Sequence, residues 1–399
     1  MAIEKLNIER FLELAEKHPV LDVRSPGEYK HAHIPGAYSF PLFTDEERKV
    51  VGTAYKQQSR EEAIKIGFDY FGPKMRKMVE EAEDVVRSQK SGACLSGRQV
   101  GSQSVVESRE FGVRSQSGAD SELRTPDSRL LLLHCWRGGM RSAAIAWLLD
   151  LYGFKVYTLA GGYKKYRNWI TETFSIPFHF TILGGYTGSG KTYVLDELEK
   201  KGAAVVNLEK LASHKGSTFG NIGMPEQPSQ EMFENLLGEK LRAVSSAVSV
   251  LTPNSQLPTP NYSIWLEDES QRIGLVNIPQ PLWNNMRQSP ICFLDIPFEE
   301  RLKHITEEYG KLDKQRMADA IVRIQKRLGG LETKLALQHL EAGEIEHCFH
   351  ILLRYYDKWY SKGLNNRDQL ASLLTKINCS KVNAVINSDK ITFPETVTK

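Results

Sequence analysis

Two α/β domains in series, each built on a parallel sheet, are what this 399-residue chain predicts. Three observations carry that prediction. The length suits two domains of ordinary size. Short apolar runs alternate with stretches of helical period, the pattern of strand–helix units. Two glycine-containing loops, HCWRGGMRS (134–142) and GGYTGSGKT (184–192), each follow an apolar run and precede a helix.

The elements follow in order. ERFLELAEKH reads as a helix and PVLDVRS as a short strand ending in Asp22 and Arg24. HIPGAYSFPLF is a loop punctuated by Pro and Gly. Residues 60–89 carry helical periodicity, broken near Gly72-Pro73. RLLLLHC is a buried strand, and MRSAAIAWLLDLYG a helix closed by Gly153. FKVYTLAGGYKKYRNW adds a strand, a glycine turn and an aromatic, basic helix. Residues 91–128 are rich in Ser, Gly, Gln and Arg without an apolar period, which predicts a flexible surface insertion. Cys94 lies inside it and gains no fixed base or anion pocket there. The first domain is drawn at 1–170, the second at 179–365, and a weakly patterned C-terminal extension at 366–399.

Apolar residues make up 41% and charged residues 25%, as in a globular protein with a core. The net charge of +3 excludes strong nucleic-acid affinity from overall charge alone, leaving local basic patches. No segment is long and apolar enough to span a bilayer, and the charged N-terminus is unlike a secretory leader. Five scattered cysteines (94, 135, 292, 348, 379) fit neither a disulfide framework nor a metal cluster, so no metal site is assigned and a reducing cytoplasm is expected.

Cys135 sits where a strand passes through a glycine loop into a helix. Backbone N–H groups of residues 136–141 and the positive helix end can stabilise a thiolate and an anion beside it. Arg137 and Arg141 add charged donors. The five residues between Cys135 and Arg141 match the spacing of a cysteine phosphatase, but the same cradle suits a sulfur or selenium atom on the cysteine. Geometry leaves both chemistries open. LDVRSPGEYKHAHIPGAYSFPLF then resembles the opening motif of rhodanese-like domains, and YTLAGGYKKYR their closing motif. That resemblance implies a chalcogen carrier with Cys135 as the loaded residue. Arg24 and Glu28 read as braces, and His31 and His33 as structural.

GGYTGSGKT matches the phosphate-loop pattern in its required strand–loop–helix setting. Gly185, Gly188 and Gly190 shape the loop, Lys191 reaches between phosphates, and Thr192 is placed for magnesium. Carboxylates at other strand ends (Glu267, Asp268, Asp295) are weak candidates to assist. The basic loop LASHKGSTFG is a candidate grip on phosphate.

A rhodanese-like domain followed by a P-loop NTPase-like α/β domain resembles the bacterial tRNA 2-selenouridine synthases. The shared motifs are LDVRSPGEYKHAHIPGA, HCWRGGMRS, LAGGYKKYR, GGYTGSGKT, LASHKGSTFG and WLEDESQRIG. The resemblance implies replacement of sulfur by selenium at C2 of a wobble 2-thiouridine in tRNA. It implies selenophosphate as donor, acting on an S-geranylated 2-thiouridine made from geranyl diphosphate, with Cys135 handling selenium through a selanylated intermediate. The implied partners are the tRNA anticodon region and a selenophosphate-producing enzyme; no membrane and no firm cofactor is implied, magnesium being a candidate only. Trp136, Lys164, Lys165, Tyr166 and Arg167 are candidates to meet the extruded base. The insertion at 91–128 departs from the family pattern. The competing readings are a sulfurtransferase or cysteine phosphatase fused to a kinase-like domain, and a non-enzymatic tRNA-binding protein.

Overall fold

The computed structural model describes residues 3–90, 129–250 and 263–391; the insertion predicted at 91–128, with Cys94, lies outside them. The chain forms two compact units, Met1–Thr171 and Glu172–Lys399.

The first unit opens with β1 (Glu4–Leu6), α1 (Ile8–Ala15), β2 (Val20–Asp22), α2 (Pro26–His31) and β3 (Tyr38–Ser39). Three helices follow: α3 (Asp45–Gln57), α4 (Arg60–Phe71) and α5 (Met75–Lys90), the last two joined by a 3-10 turn at Gly72–Lys74. That turn is the predicted break at Gly72-Pro73. β4 (Leu130–His134), α6 (Met140–Tyr152), β5 (Lys155–Leu159) and α7 (Gly162–Thr173) complete the unit. Its five strands are parallel in the order β1-β5-β4-β2-β3. Side chains starting these helices answer orphan backbone N–H groups. Asn7 caps α1, Ser59 caps α4, and Ser25 with Glu28, like Thr44 with Glu47, forms a capping box. β4 is buried along its whole length, which is why its sequence is an unbroken leucine run. Helix α3 falls in a stretch to which the sequence assigned no element.

The second unit runs β6 (Phe180–Gly185), α8 (Lys191–Lys200), α9 (Leu208–Leu211), α10 (Gln230–Val250), β7 (Ile264–Glu267), a hairpin of β8 (Arg272–Ile273) and β9 (Val276–Asn277), then α11 (Gln280–Arg287) and β10 (Ile291–Asp295). Four helices follow: α12 (Phe298–Tyr309), α13 (Lys314–Leu328), α14 (Gly330–Ala342) and α15 (Ile345–Asn365). They enclose a separate core of Met317, Ile321, Leu340, Phe349 and Leu352. The chain closes with α16 (Leu370–Leu373), β11 (Leu374–Asn378) and α17 (Ala384–Asp389). Strand order is β11-β10-β6-β7, all parallel. The segment drawn as an extension at 366–399 therefore supplies an edge strand of this sheet, through β11. Its sequence, LTKIN, is half polar because an edge strand is only partly covered.

Candidate functional site

Cys135 follows the last residue of β4, at the carboxyl end of a central strand, where open parallel sheets place their ligand crevices. Its side chain is buried at 3% exposure, yet polar groups converge on the sulfur. The Gly139 N–H donates to Sγ at 3.2 Å, and the Ser142 hydroxyl lies 3.3 Å away. Burial pushes the thiol pKa up, but hydrogen bonds from Ser142, Gly139 and Arg137 outweigh it and hold it below the ordinary thiol range. The site is therefore thiolate-favouring despite its depth. Ser142→Ala removes one of these donors and is expected to move the pH midpoint of Cys135 alkylation upward. Iodoacetamide labelling across pH checks it; an unmoved midpoint would show that Ser142 does not tune the thiol.

The loop is locked from the far side. Tyr163 N–H donates to the Cys135 carbonyl at 2.8 Å and Lys164 N–H to that of Trp136 at 2.9 Å. Gly162 makes this approach possible: its φ is +59°, and a Cβ would lie 2.4 Å from the Cys135 carbonyl oxygen. The closing LAGGY segment is thus the clamp on the cysteine loop.

Glu28 anchors the loop's second arginine, accepting from Arg141 Nη1 at 2.7 Å, with Arg48 Nε at 3.5 Å. Arg137 is exposed. Beneath the loop, Arg24 and Asp22 form a buried two-pronged pair, Nε–Oδ1 2.9 Å and Nη2–Oδ2 2.6 Å. Arg24 also donates to the Ala32 carbonyl and lies 3.7 Å from the Tyr163 ring centroid. Arg24 and Glu28 are thus braces, as read from the sequence. His33 Nδ1 sits 2.9 Å from the Tyr29 carbonyl and its ring stacks on Tyr29, a structural arrangement. Tyr166 is fully buried, which removes it from the residues available to a base; Trp136, Lys164 and Lys165 are exposed.

The second constellation surrounds the phosphate loop between β6 and α8. Gly188 has φ +81°, and a Cβ there would meet Ile305 Cδ1 at 2.7 Å, so only glycine fits. Lys191 Nζ folds back onto the Gly185 carbonyl at 3.0 Å, and the Thr192 hydroxyl donates to Glu209 at 2.8 Å. Arg301, 3% exposed, holds the loop by donating to the Thr187 carbonyl at 3.0 Å while pairing with Asp357 at 2.9 and 2.7 Å. Tyr360 donates to Asp268 at 2.6 Å and accepts from the Gly185 N–H at 3.1 Å. Asp268, which also pairs with Arg367, is thereby a structural anchor. Asp295 pairs with Lys376 at 3.7 Å, 40% exposed.

Glu267 is fully buried with Oε1 lacking any partner. Burial, reinforced by Glu209, pushes its carboxyl up to about 8. Glu269 is raised as well, by burial and then by Glu209. Glu209, Glu269, Arg301 and Tyr360 were not identified from the sequence. Glu209, six residues before the basic Lys215-Gly216 loop, and Glu269, inside the motif WLEDESQRIG, each carried a local hint. The loop, Lys191, Thr192, Glu209, Glu269 and Lys215 line one cavity of 780 Å³ with an aromatic side that includes Trp283, Tyr355 and Trp359.

No helix among the described residues is long and apolar enough to cross a membrane. Residues 178–391 match the family model described as the tRNA 2-selenouridine synthase AAA domain, and residues 7–87 match the rhodanese-like domain. The rhodanese match stops before Cys135, so the cysteine's assignment rests on its geometry. The chain is similar to the tRNA 2-selenouridine synthase of Hydrogenovibrio crunogenus, 32% identical over 86% of this chain and 88% of that one. It is 31% identical to that of Sulfurovum sp. (86% and 84% covered) and 29% to that of Bdellovibrio bacteriovorus (92% and 94%). With one such model matched over more than half its length, and relatives matched almost end to end, the chain belongs to the tRNA 2-selenouridine synthase family.

Proposed function

We propose that the chain carries out the reaction its family is named for: 2-thiouridine in tRNA becomes 2-selenouridine, through an S-geranylated intermediate. The observation that carries this reading is the pairing of a thiolate-favouring Cys135 cradle with a phosphate loop that faces an aromatic cavity.

The two loops suit two chemical steps. Geranyl diphosphate is an anionic head on an apolar tail. Lys191 and the loop amides suit the diphosphate, and Trp283, Tyr355 and Trp359 suit the tail. In that step the C2 sulfur attacks the geranyl carbon, the C–O bond breaks, diphosphate leaves, and the base gives up its N3 proton to solvent. Alkylation turns a poor leaving group into a thiol that can depart. Glu209, Glu269 and the Thr192 hydroxyl line the same cavity, and these oxygen donors would hold a magnesium ion beside the phosphate loop. The ion would neutralise diphosphate charge there.

In the second step a C2–Se bond forms while C2–S and Se–P break. Geranylthiol leaves with a proton, and the phosphoryl group ends on a water oxygen. Selenium has the same oxidation level in selenophosphate and in the product, so the exchange needs no oxidant or reductant. We assign Cys135 to the Se–P bond: thiolate attack at phosphorus frees selenium as a nucleophile and leaves a phosphocysteine that water clears. The selanylated cysteine implied by the rhodanese resemblance would add a thiol reductant to the balance. Arg137, Arg141 and the loop amides hold the donor's oxygens.

The test is nucleoside mass spectrometry of a 2-thiouridine RNA incubated with the protein, geranyl diphosphate and selenophosphate. S-geranyl-2-thiouridine and then 2-selenouridine are expected. Failure to form either overturns the proposal. Lys191→Ala is expected to slow geranylation by about 100-fold, the scale of a lost charge stabiliser, while selenation of pre-geranylated RNA proceeds. Equal loss in both steps would contradict the division of labour.

A further inference from the structure

A second cavity, of 770 Å³, opens beside Cys135 within the first unit. Helices α3 and α4 form one wall, and the cysteine loop with the start of α6 forms the other. Its depth is apolar: Leu42, Phe43, Ala63 and Phe71 are all buried. Towards the mouth it leaves Tyr55, Phe68, Trp136 and Met140 exposed at 51%, 62%, 37% and 45%. Four large apolar side chains converging on one hollow beside a nucleophile mark a ligand seat rather than scattered surface. The lining contains no acidic residue; its charged members are Arg48, Lys56, Arg60, Arg137 and Arg141.

An apolar hollow with a basic edge calls for an anionic molecule that carries a long hydrocarbon tail. Resting on the function proposed above, we propose that this cavity seats the geranyl tail of S-geranylated RNA during selenium transfer. The connectivity of the substrate supports it. The sulfur being displaced must lie where selenium is delivered, and the tail hangs from that sulfur. A tail bonded to a sulfur beside Cys135 has this apolar wall as its neighbour, while Lys56 and Arg60 meet the RNA phosphates. The cavity thereby selects the alkylated intermediate over unmodified 2-thiouridine, which would leave the hollow wet.

The experiment uses the full chain, selenophosphate, and anticodon stem-loop RNAs bearing S-geranyl- or S-methyl-2-thiouridine. The intact protein is expected to prefer the geranyl substrate by at least about tenfold in kcat/KM, mostly through KM, since each buried methylene is worth roughly fourfold. Gly52 lines the cavity, and a Cβ there meets nothing within 4 Å. Gly52→Trp therefore fills the hollow and is expected to bring the geranyl-to-methyl ratio close to one, with thermal unfolding checking that the variant folds. If it does not fold, Tyr55→Ser is expected to lower the same ratio. A parent enzyme with no chain-length preference, or a ratio unmoved by filling, overturns the inference while leaving the function intact. A dimer that dissociates on Gly52→Trp without chain-length dependence would instead assign the hollow to a second copy. If the parent makes no 2-selenouridine from either RNA, the functional reading itself fails. Binding of fluorescently labelled S-geranyl and S-methyl RNA to the parent and Gly52→Trp then decides the cavity separately.

Discussion

Cys135→Ser is expected to reduce selenium transfer to S-geranyl-2-thiouridine RNA by about 10³-fold or more, while geranylation from geranyl diphosphate continues. The magnitude is that of removing a covalent nucleophile. Serine nearly preserves the volume of a side chain only 3% exposed, so the fold is disturbed little. What it loses is ionisation. The donors that hold the thiol below its ordinary range cannot bring a hydroxyl into reach of neutral pH. Geranylation asks for a diphosphate cradle and no thiol, which makes it the internal control. Single-turnover assays of each step, with isotopically labelled phosphorus or selenium in the donor, give the rates and show which element stays on the wild-type cysteine. Selenation at an undiminished rate would remove Cys135 from the chemistry.

Arg24→Ala is expected to destabilise the first unit by about 3–5 kcal/mol, because it strands Asp22 as a buried carboxylate beneath the active loop. The pH dependence makes this specific. Burial alone would raise the Asp22 carboxyl, but His134 and the Arg24 hydrogen bonds and charge together hold it below the usual carboxylate range. A depressed folded pKa contributes stability that is present above the unfolded value of about 3.9 and lost as pH falls through the folded one. Without Arg24 burial wins, the folded pKa rises, and the variant suffers most at neutral pH. The stability gap between the two proteins should therefore narrow as pH drops towards 4. Denaturant melts at several pH values measure it; a constant gap would show that the loss is packing alone. Adding Asp22→Asn to the Arg24 variant should recover part of the loss by removing the stranded charge.

Both glycine loops were legible because their geometry is local. HCWRGGMRS and GGYTGSGKT each hold strand end, turn glycines and helix start within nine residues, so spacing alone fixes which groups converge. The partners that finish each site come from far along the chain. Tyr360 reaches Gly185 across 175 positions, and Asp357 reaches Arg301 across 56. No periodicity within a window encodes such pairs. Glu209 was hidden differently: one acidic residue in a four-residue helix looks like any solvated carboxylate until Thr192 donates to it. The wall of the cavity beside Cys135 was missed for want of an element at α3, whose VVGTAY core is too mixed for a clean helical stripe. β11 was illegible as a strand because an edge position asks for little apolar surface.

That edge strand has a consequence for how the protein is made. β10 and β11 are separated by about eighty residues, the whole helical layer from α12 to α16. On a ribosome adding roughly 5–20 residues per second, the open edge of β10 waits on the order of 4–16 s for its partner. An unpaired parallel edge is a template for association with other nascent chains. Helices α12 to α15, which form a core of their own, emerge in that interval and can fold beside the open edge before β11 closes it. Synthesis speed through residues 296–373 should therefore affect the yield of folded protein.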